Sequence, residues 1–161
     1  MRNDIERILI SEEELQEKVS EMGKKISRDF KDKDPIFVGV LKGCFIFMAV
    51  SSYSGTSSTG AVKINKDLGE DIEGRHLIIV EDILDSGITL SYLKQYLMVR
   101  KPASITIATL MDKPARRKAD IYADYSCFEI PDAFVVGYGL DYNERYRNLP
   151  YIGVLKPEIY S

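Results

Sequence analysis

The residues whose types and spacing best suit chemistry lie at positions 81–89, Glu-Asp-Ile-Leu-Asp-Ser-Gly-Ile-Thr. A buried strand is predicted before them at 77–80, and a helix after them from 89 to about 100. Hydroxyls and a glycine at a helix start lie beside free backbone N–H groups and the positive end of the helix dipole, which bind phosphate. The alternative is that Asp85 or Ser86 is only a helix N-cap.

Two acids at the end of the predicted strand, Glu81 and Asp82, weaken the N-cap interpretation. Carboxylates repel a phosphate ligand unless they accept hydrogen bonds from sugar hydroxyls or act through Mg²⁺. A ribose phosphate meets both conditions. The sequence contains neither a Gly-x-x-x-x-Gly-Lys-Ser/Thr loop nor a Gly-x-Gly-x-x-Gly fingerprint, so an ordinary NTPase and a dinucleotide-binding enzyme both lose support.

Length and composition predict one domain, residues 1–161. With 45% hydrophobic and 29% charged residues, the chain is neither a disordered polyelectrolyte nor a fibre. A net charge of −3 gives no overall positive field, so we expect no nucleic-acid partner. The acidic N-terminus is unlike a signal peptide, and no stretch approaches the roughly 20 apolar residues of a membrane span. We therefore expect a cytoplasmic protein with no membrane contact.

The chain has two cysteines, Cys44 and Cys127, and one histidine, His76. Neither a Cys-x-x-Cys spacing nor a histidine pair is present, which excludes a zinc site and leaves a histidine-dependent catalytic triad little support. We expect both cysteines to be reduced, buried thiols and His76 to begin a strand.

The elements that must position the acids follow from periodicity. A capping box starting at Ser11 and apolar residues at helical spacing predict a helix from 11 to about 29. Residues 51–60 are mostly Ser, Thr and Gly, which predicts a mobile loop acting as a lid. Pro102 ends the second helix, and a basic turn follows at 113–118. Apolar strands are predicted at 36–41, 62–64, 77–80, 105–111 and 134–138. Alternating strands and helices indicate an α/β fold with a mainly parallel sheet, flanked by helices, whose ligands bind at the carboxyl ends of its strands.

Residues 81–89 closely resemble the phosphoribosyl diphosphate (PRPP) motif of type I phosphoribosyltransferases, two acids followed by an Asp-Ser/Thr-Gly-x-Thr loop. Three further segments, at 41–43, 113–117 and 134–142, are similar in matching order to the hypoxanthine-guanine branch of that family. The resemblance covers nearly the whole chain. It implies the type I fold with a small hood built from the N- and C-terminal segments. It also implies purine salvage: Mg²⁺-dependent transfer of the phosphoribosyl group from PRPP to N9 of hypoxanthine or guanine, giving IMP or GMP and diphosphate.

The resemblance assigns roles to individual residues. Asp85 is the general acid/base near purine N7, and Lys113 donates to purine O6, which favours a 6-oxopurine over adenine. The residues implied to bind the ribose and 5′-phosphate of PRPP are Glu81, Asp82, Asp85, Ser86, Gly87, Ile88 and Thr89. Those implied to bind diphosphate are Lys42, Gly43, Ser52, Tyr53, Arg117 and Arg147. Those implied to bind the purine are Lys113, Phe134, Val135 and Asp141. Those implied to contact Mg²⁺ are Glu81, Asp82 and Asp141. Taken alone, Phe134 could be a core residue and Lys113 a residue of a solvated turn.

The sequence departs from the family after Gly43, where seven residues, 44–50, replace a full helix and a strand. A parallel crossover needs about a dozen residues, so these seven cannot form both elements. Either the segment is deleted or residues are omitted from the sequence with the numbering closed over the gap. We favour the omission because both flanks stay close to the family pattern and loss of core elements is severely destabilising.

Two other functions stay open at this point. One is phosphoribosyl transfer to xanthine or another base, since small changes in a pocket shift selectivity by about 10–200-fold. The other is a regulatory module that binds PRPP or a nucleotide without catalysis, because fold alone does not establish function. At the level of the family we expect self-association into a homodimer or homotetramer.

Overall fold

The computed structural model describes the backbone of residues 2–39, 49–54 and 57–160, and the side chains of residues 2–39 and 67–160. The described part contains nine strands and three α-helices. The strands are β1 (Ile5–Ile10), β2 (Ile36–Gly39), β3 (Ala49–Ser54), β4 (Ser57–Lys66), β5 (His76–Leu84), β6 (Ser104–Asp112), β7 (Tyr125–Glu129), β8 (Val135–Val136) and β9 (Ile152–Leu155). The helices are α1 (Glu12–Asp29), α2 (Ile88–Met98) and α3 (Pro157–Tyr160).

A parallel sheet in the order β2-β5-β6-β7 forms the centre of the fold, as the apolar runs predict. Successive strand residues point to opposite faces, so β5 serves both layers. Leu77 and Ile79 pack with α2 residues such as Leu93 on one face. Ile78 packs with Ile26 of α1 on the other. Because both faces are covered, the carboxyl edge is where polar side chains of the sheet can gather.

A second sheet, antiparallel and in the order β1-β9-β8, joins the two ends of the chain and confirms the predicted hood. The prediction that 134–138 adds a strand to the parallel sheet is wrong. Only Val135 and Val136 are in a strand, and they pair with β9. The fourth parallel strand is instead β7, whose Tyr-Ser-Cys-Phe-Glu sequence is not an apolar run because this edge strand is only half-covered.

Most of the predicted lid loop at 51–60 has strand backbone. β3 and β4 form an antiparallel pair, with Tyr53 opposite Ser58. The prediction of a loop is therefore wrong for most of this stretch, since Thr and Tyr favour strands even without an apolar period. The predicted strand at 62–64 lies inside β4. That the segment acts as a lid stays a prediction.

Both predicted α-helices are present. Ser11 accepts a hydrogen bond from Glu14 N, and the Glu14 carboxylate accepts one from Ser11 N, which confirms the capping box at the start of α1. His76 is the first residue of β5, as predicted, and its Nδ1 lies 2.7 Å from Ser104 Oγ. Cys127 is free and half-buried, whereas Cys44 lies outside the described residues. No helix in the described ranges combines the length and apolar character needed to cross a membrane.

Candidate active site

The acid pair lies within β5 rather than after it. The strand continues to Leu84 because β6 runs beside it, pairing Glu81 with Thr109 and Leu84 with Asp112. The prediction that the strand ends at Val80 is therefore wrong, since the two acids interrupt the apolar pattern but not the ladder.

The two carboxyl groups are strongly affected by burial. Desolvation, and then the charge of Asp82, raises the pKa of Glu81 to about 8. Its Oε2 is buried and has no hydrogen-bond partner among the described residues. Burial also raises the pKa of Asp82, while its hydrogen bond from Ile83 N (2.7 Å) and the charge of Arg147 oppose the shift. An orphaned acid of this kind suits a ligand hydroxyl or a cation.

The turn between β5 and α2 is short and closely packed. Gly87, with φ +76°, is the N-cap of α2 and makes no side-chain cap, so neither Asp85 nor Ser86 is the N-cap. A Cβ added to Gly87 would lie 2.5 Å from Ile121 Cγ2. Ser86 Oγ accepts a 3.4 Å hydrogen bond from Ile88 N. The polar side chains of the turn thus stand at the start of a helix of eleven residues, whose first N–H groups have no partner within the helix itself.

Lys113 follows β6 and is not part of a solvated turn. Its side chain is 6% exposed, and Nζ donates a 2.9 Å hydrogen bond to Ala133 O and lies 3.9 Å from an oxygen of Asp132. Burial lowers its pKa, while the charges of Asp85 and Asp132 oppose that shift. The ammonium group therefore lies between the turn after β5 and the loop before β8.

Phe134 is not a plain core residue, because 36% of it is exposed. Its ring stacks on Tyr160, with centroids 4.7 Å apart, and meets Tyr142 edge-on at 5.5 Å. The next residue, Val135, is buried in β8. The hood thus holds an accessible aromatic ring next to the loop that contacts Lys113.

The hood also brings an acid and an arginine toward β5. Arg147 Nη2 lies 2.8 Å from Asp141 Oδ1, and Nη1 donates to Gly139 O at 2.7 Å. Both charges act on the pKa of Asp82, Arg147 lowering it and Asp141 raising it. The structure therefore brings the predicted ribose, purine and diphosphate residues of the hood and of β5 to one end of the sheet.

The side chains of four predicted diphosphate-binding residues lie outside the described part of the structure. Lys42 and Gly43 lie outside the described residues, and Ser52 and Tyr53 lie in β3, where only the backbone is described. Within the described ranges no three acid, histidine or cysteine side chains group closely enough to hold a metal ion together. The three predicted Mg²⁺ contacts thus do not form a closed protein site.

Two contacts were missed by sequence reasoning. Arg116 is exposed, as the basic turn suggests, and its Nε also lies 3.5 Å from Asp85 Oδ1. Arg117 Nε donates to Asp85 O at 3.0 Å, and its guanidinium contacts protein oxygens on all sides. The only signal for either contact is the 3₁₀ turn (Pro114–Arg116), which folds the chain back after β6.

A parallel sheet with an acid pair near the end of one strand, followed by a glycine turn that opens a helix, is the arrangement expected of a phosphoribosyltransferase. The family model described as "Phosphoribosyl transferase domain" matches residues 45–143. The sequence is 56% identical over 178 aligned positions to the hypoxanthine-guanine phosphoribosyltransferase of Bacillus subtilis (strain 168), with 100% of this chain and 99% of that protein covered. It is 49% identical, with the same coverage, to the hypoxanthine-guanine phosphoribosyltransferase of Streptococcus pneumoniae (strain ATCC BAA-255 / R6).

A crystal structure of a hypoxanthine phosphoribosyltransferase from Staphylococcus aureus aligns with a TM-score of 0.93 and 49% identity, covering 100% of this chain and 97% of that one. The chain belongs to the hypoxanthine-guanine phosphoribosyltransferase family. The 178 aligned positions exceed the 161 residues of the chain, so at least 17 of them hold no residue of it. This difference agrees with the prediction that a segment of the family pattern is absent.

Proposed function

We propose that this chain transfers the 5-phosphoribosyl group of PRPP to N9 of hypoxanthine or guanine, releasing diphosphate and forming IMP or GMP. The observation that carries the proposal is the buried ammonium group of Lys113, which lies between Asp85 and the loop before Phe134. A fixed donor beside an accessible aromatic ring suits a flat base with a carbonyl oxygen, such as a 6-oxopurine. The exocyclic amino group of adenine offers no acceptor for this donor.

The proposed chemistry divides between the sheet edge and the hood. Ser86, Gly87, Ile88 and Thr89 bind the 5′-phosphate through the turn and the first N–H groups of α2. Asp85 is close to the base and exchanges a proton with purine N7. Its buried Oδ1 accepts no hydrogen bond from the described residues and meets only the half-exposed Arg116, at 3.5 Å, which leaves it a group that a ligand could engage.

Toward the base, Phe134 stacks on the purine and Val135 offers its backbone to the purine edge. Lys42, Gly43, Ser52 and Tyr53 stay predicted contacts of the diphosphate.

The site carries carboxylates but no closed metal cage among the described residues. Mg²⁺ typically binds one or two carboxylates together with substrate phosphates and water, so these donors fit an ion that enters with PRPP. Glu81, Asp82 and Asp141 would face it or the ribose hydroxyls. When bound, Mg²⁺ supplies positive charge to the departing diphosphate. Arg147 adds a second positive group, which suits the paired oxygens of a phosphate.

Diphosphate release from PRPP and Mg²⁺ tests the proposal, with hypoxanthine, guanine, xanthine and adenine in parallel. We expect turnover with hypoxanthine or guanine and none with adenine. Asp85→Asn and Lys113→Ala should lower kcat/KM for the active base by about 100-fold or more. Lys24→Ala, which removes an exposed lysine of α1, is the matched control and should leave turnover unchanged. Turnover with xanthine alone would favour the first alternative, and nucleotide binding without turnover would favour a regulatory module.

We also propose, from family resemblance, that the protein works in the cytoplasm as a homodimer or homotetramer. Sedimentation equilibrium at several concentrations tests the assembly, and a monomer at all concentrations would contradict it.

A further inference from the structure

The contacts of Arg117 point to a role other than direct binding of diphosphate. Its Nε donates to Asp85 O at 3.0 Å, and its Nη2 donates to Leu84 O at 3.3 Å. Its Nη1 donates to Ile121 O, and its Nη2 also pairs with the Asp112 carboxylate. The side chain is only 12% exposed. A guanidinium group has five N–H donors, and here they face protein oxygens rather than an open surface.

The residues after Arg117 hold the same turn through their backbone. Lys118 N and Ala119 N both donate to Ser86 O, at 2.9 and 3.1 Å. The carbonyl groups of three successive residues, Leu84, Asp85 and Ser86, therefore all face the segment from 117 to 119. We call this segment the clamp.

The clamp fixes the direction of the N–H groups that a phosphate would meet. In a trans peptide the carbonyl and the following N–H point in opposite directions. Since the carbonyls of residues 84–86 face the clamp, the N–H groups of Asp85, Ser86 and Gly87 face away from it. Successive N–H groups held in place at a helix start can form an anion-binding concavity.

We propose that Arg117 is a positioning residue that orients the 5′-phosphate turn, and that it does not itself contact diphosphate. The inference rests on the proposed function, which supplies the phosphate ligand. The aliphatic part of Arg117 supports the same role, because its Cδ would lie 3.0 Å from a Cβ at Gly87. Arg117 thus holds the turn through both its charge and its stem.

Two ligands separate positioning from direct contact. IMP carries the 5′-phosphate without diphosphate, and inorganic diphosphate with Mg²⁺ carries no 5′-phosphate. For Arg117→Gln we expect Kd for IMP to rise about 10- to 100-fold, because the turn is no longer held, while Kd for diphosphate stays within about twofold. Arg117→Lys keeps a charge but loses the fork of donors, and should recover only part of the IMP affinity.

Arg100→Gln is the matched control. Arg100 also contacts two carbonyls and an aspartate, at Leu68, Glu70 and Asp67, but it follows the C-terminal end of α2, away from the turn after β5. Both variants should lose stability, and only Arg117→Gln should lose IMP affinity. Weaker diphosphate binding with unchanged IMP binding would overturn the inference in favour of direct contact, and equal losses of IMP affinity in Arg117→Gln and Arg100→Gln would overturn it as well. If the wild type fails to bind IMP or turn over PRPP, the proposed function itself fails. If the wild type binds IMP and Arg117→Gln binds it with the same Kd, only the positioning role is rejected.

Discussion

Replacing Gly87 by alanine tests how closely the turn between β5 and α2 is packed. Two penalties are expected at this position. A non-glycine residue at φ +76° costs about 1 kcal/mol, since the left-handed region is unfavourable for a Cβ. The new Cβ would also lie 2.5 Å from Ile121 Cγ2, an overlap that forces the packed segment to shift and costs about 1–3 kcal/mol. We expect a total loss of about 3 kcal/mol of unfolding free energy.

Gly74 provides the matched control, because its φ of +71° is nearly the same and a Cβ added there would have no atom within 4 Å. Gly74→Ala should therefore lose only the backbone penalty of about 1 kcal/mol. Urea unfolding of both variants measures the difference, which is the packing penalty alone. Adding Ile121→Ala to Gly87→Ala should show favourable coupling of about 1 kcal/mol, because the clashing methyl is gone. Equal losses for the two glycine variants would refute the reasoning.

Three further predictions concern the rest of the site. The pKa of Glu81 is raised to about 8 from 4.5, so its protonated form stabilises the fold below pH 4.5 and this stability is lost as pH rises toward 8. Glu81→Gln should remove this dependence of the unfolding free energy on pH. At pH 8 the variant should be more stable than the wild type by about 2 kcal/mol, after allowance for partial solvent contact, as measured by urea titrations. An unchanged pH dependence would contradict the raised pKa. Gly137→Ala should abolish the folded hood in circular dichroism, because a Cβ there would lie 2.1 Å from Tyr151 O. Gly139→Ala is the control and should fold, since a Cβ added at its φ of +97° would have no atom within 4 Å. Equal behaviour of the two variants would refute the clash at Gly137. Tyr160→Leu removes the ring stacked on the proposed base-binding phenylalanine and should raise KM for hypoxanthine about fivefold with KM for PRPP unchanged, and a parallel rise of both would contradict a local role.

The central sheet could be predicted because its strands are buried on both faces. Apolar runs such as 77–80 and 105–111 have no other satisfactory location. The strand β7 could not be found in this way, since an edge strand with one open side keeps polar residues such as Ser126. The sequence pattern also placed the end of β5 too early. The ladder to β6 continues through Glu81 and Asp82, because backbone hydrogen bonds form whether the side chains are polar or apolar.

The grouping of the candidate site residues was predictable where residue type and order carry it. The acid pair, the glycine turn and Lys113 are found at one edge of the sheet as expected, because they lie at the carboxyl ends of the adjacent parallel strands β5 and β6. What sequence cannot supply is which partner a charged group takes. Arg116 and Arg117 are neighbours in a basic turn, yet one reaches a carboxylate of the site and the other is buried among carbonyls. That difference depends on the direction of a 3₁₀ turn, which the spacing of residues in the sequence does not predict.

Hydrogen bonds join the turn after β5 to the segment after β6, so the two move as one unit. Lys113 N donates to Leu84 O at 3.0 Å, and Arg117 of the clamp continues the contacts to Asp85. The residue proposed to meet the base and the groups proposed to meet the phosphate are thus joined by hydrogen bonds to the backbone rather than through solvent. Such contacts fix the distance between a bound base and a bound 5′-phosphate before either ligand arrives. A site built in this way lowers the entropy lost in bringing N9 to the ribose, and a change in the clamp should therefore disturb the alignment of both ligands even where neither is touched.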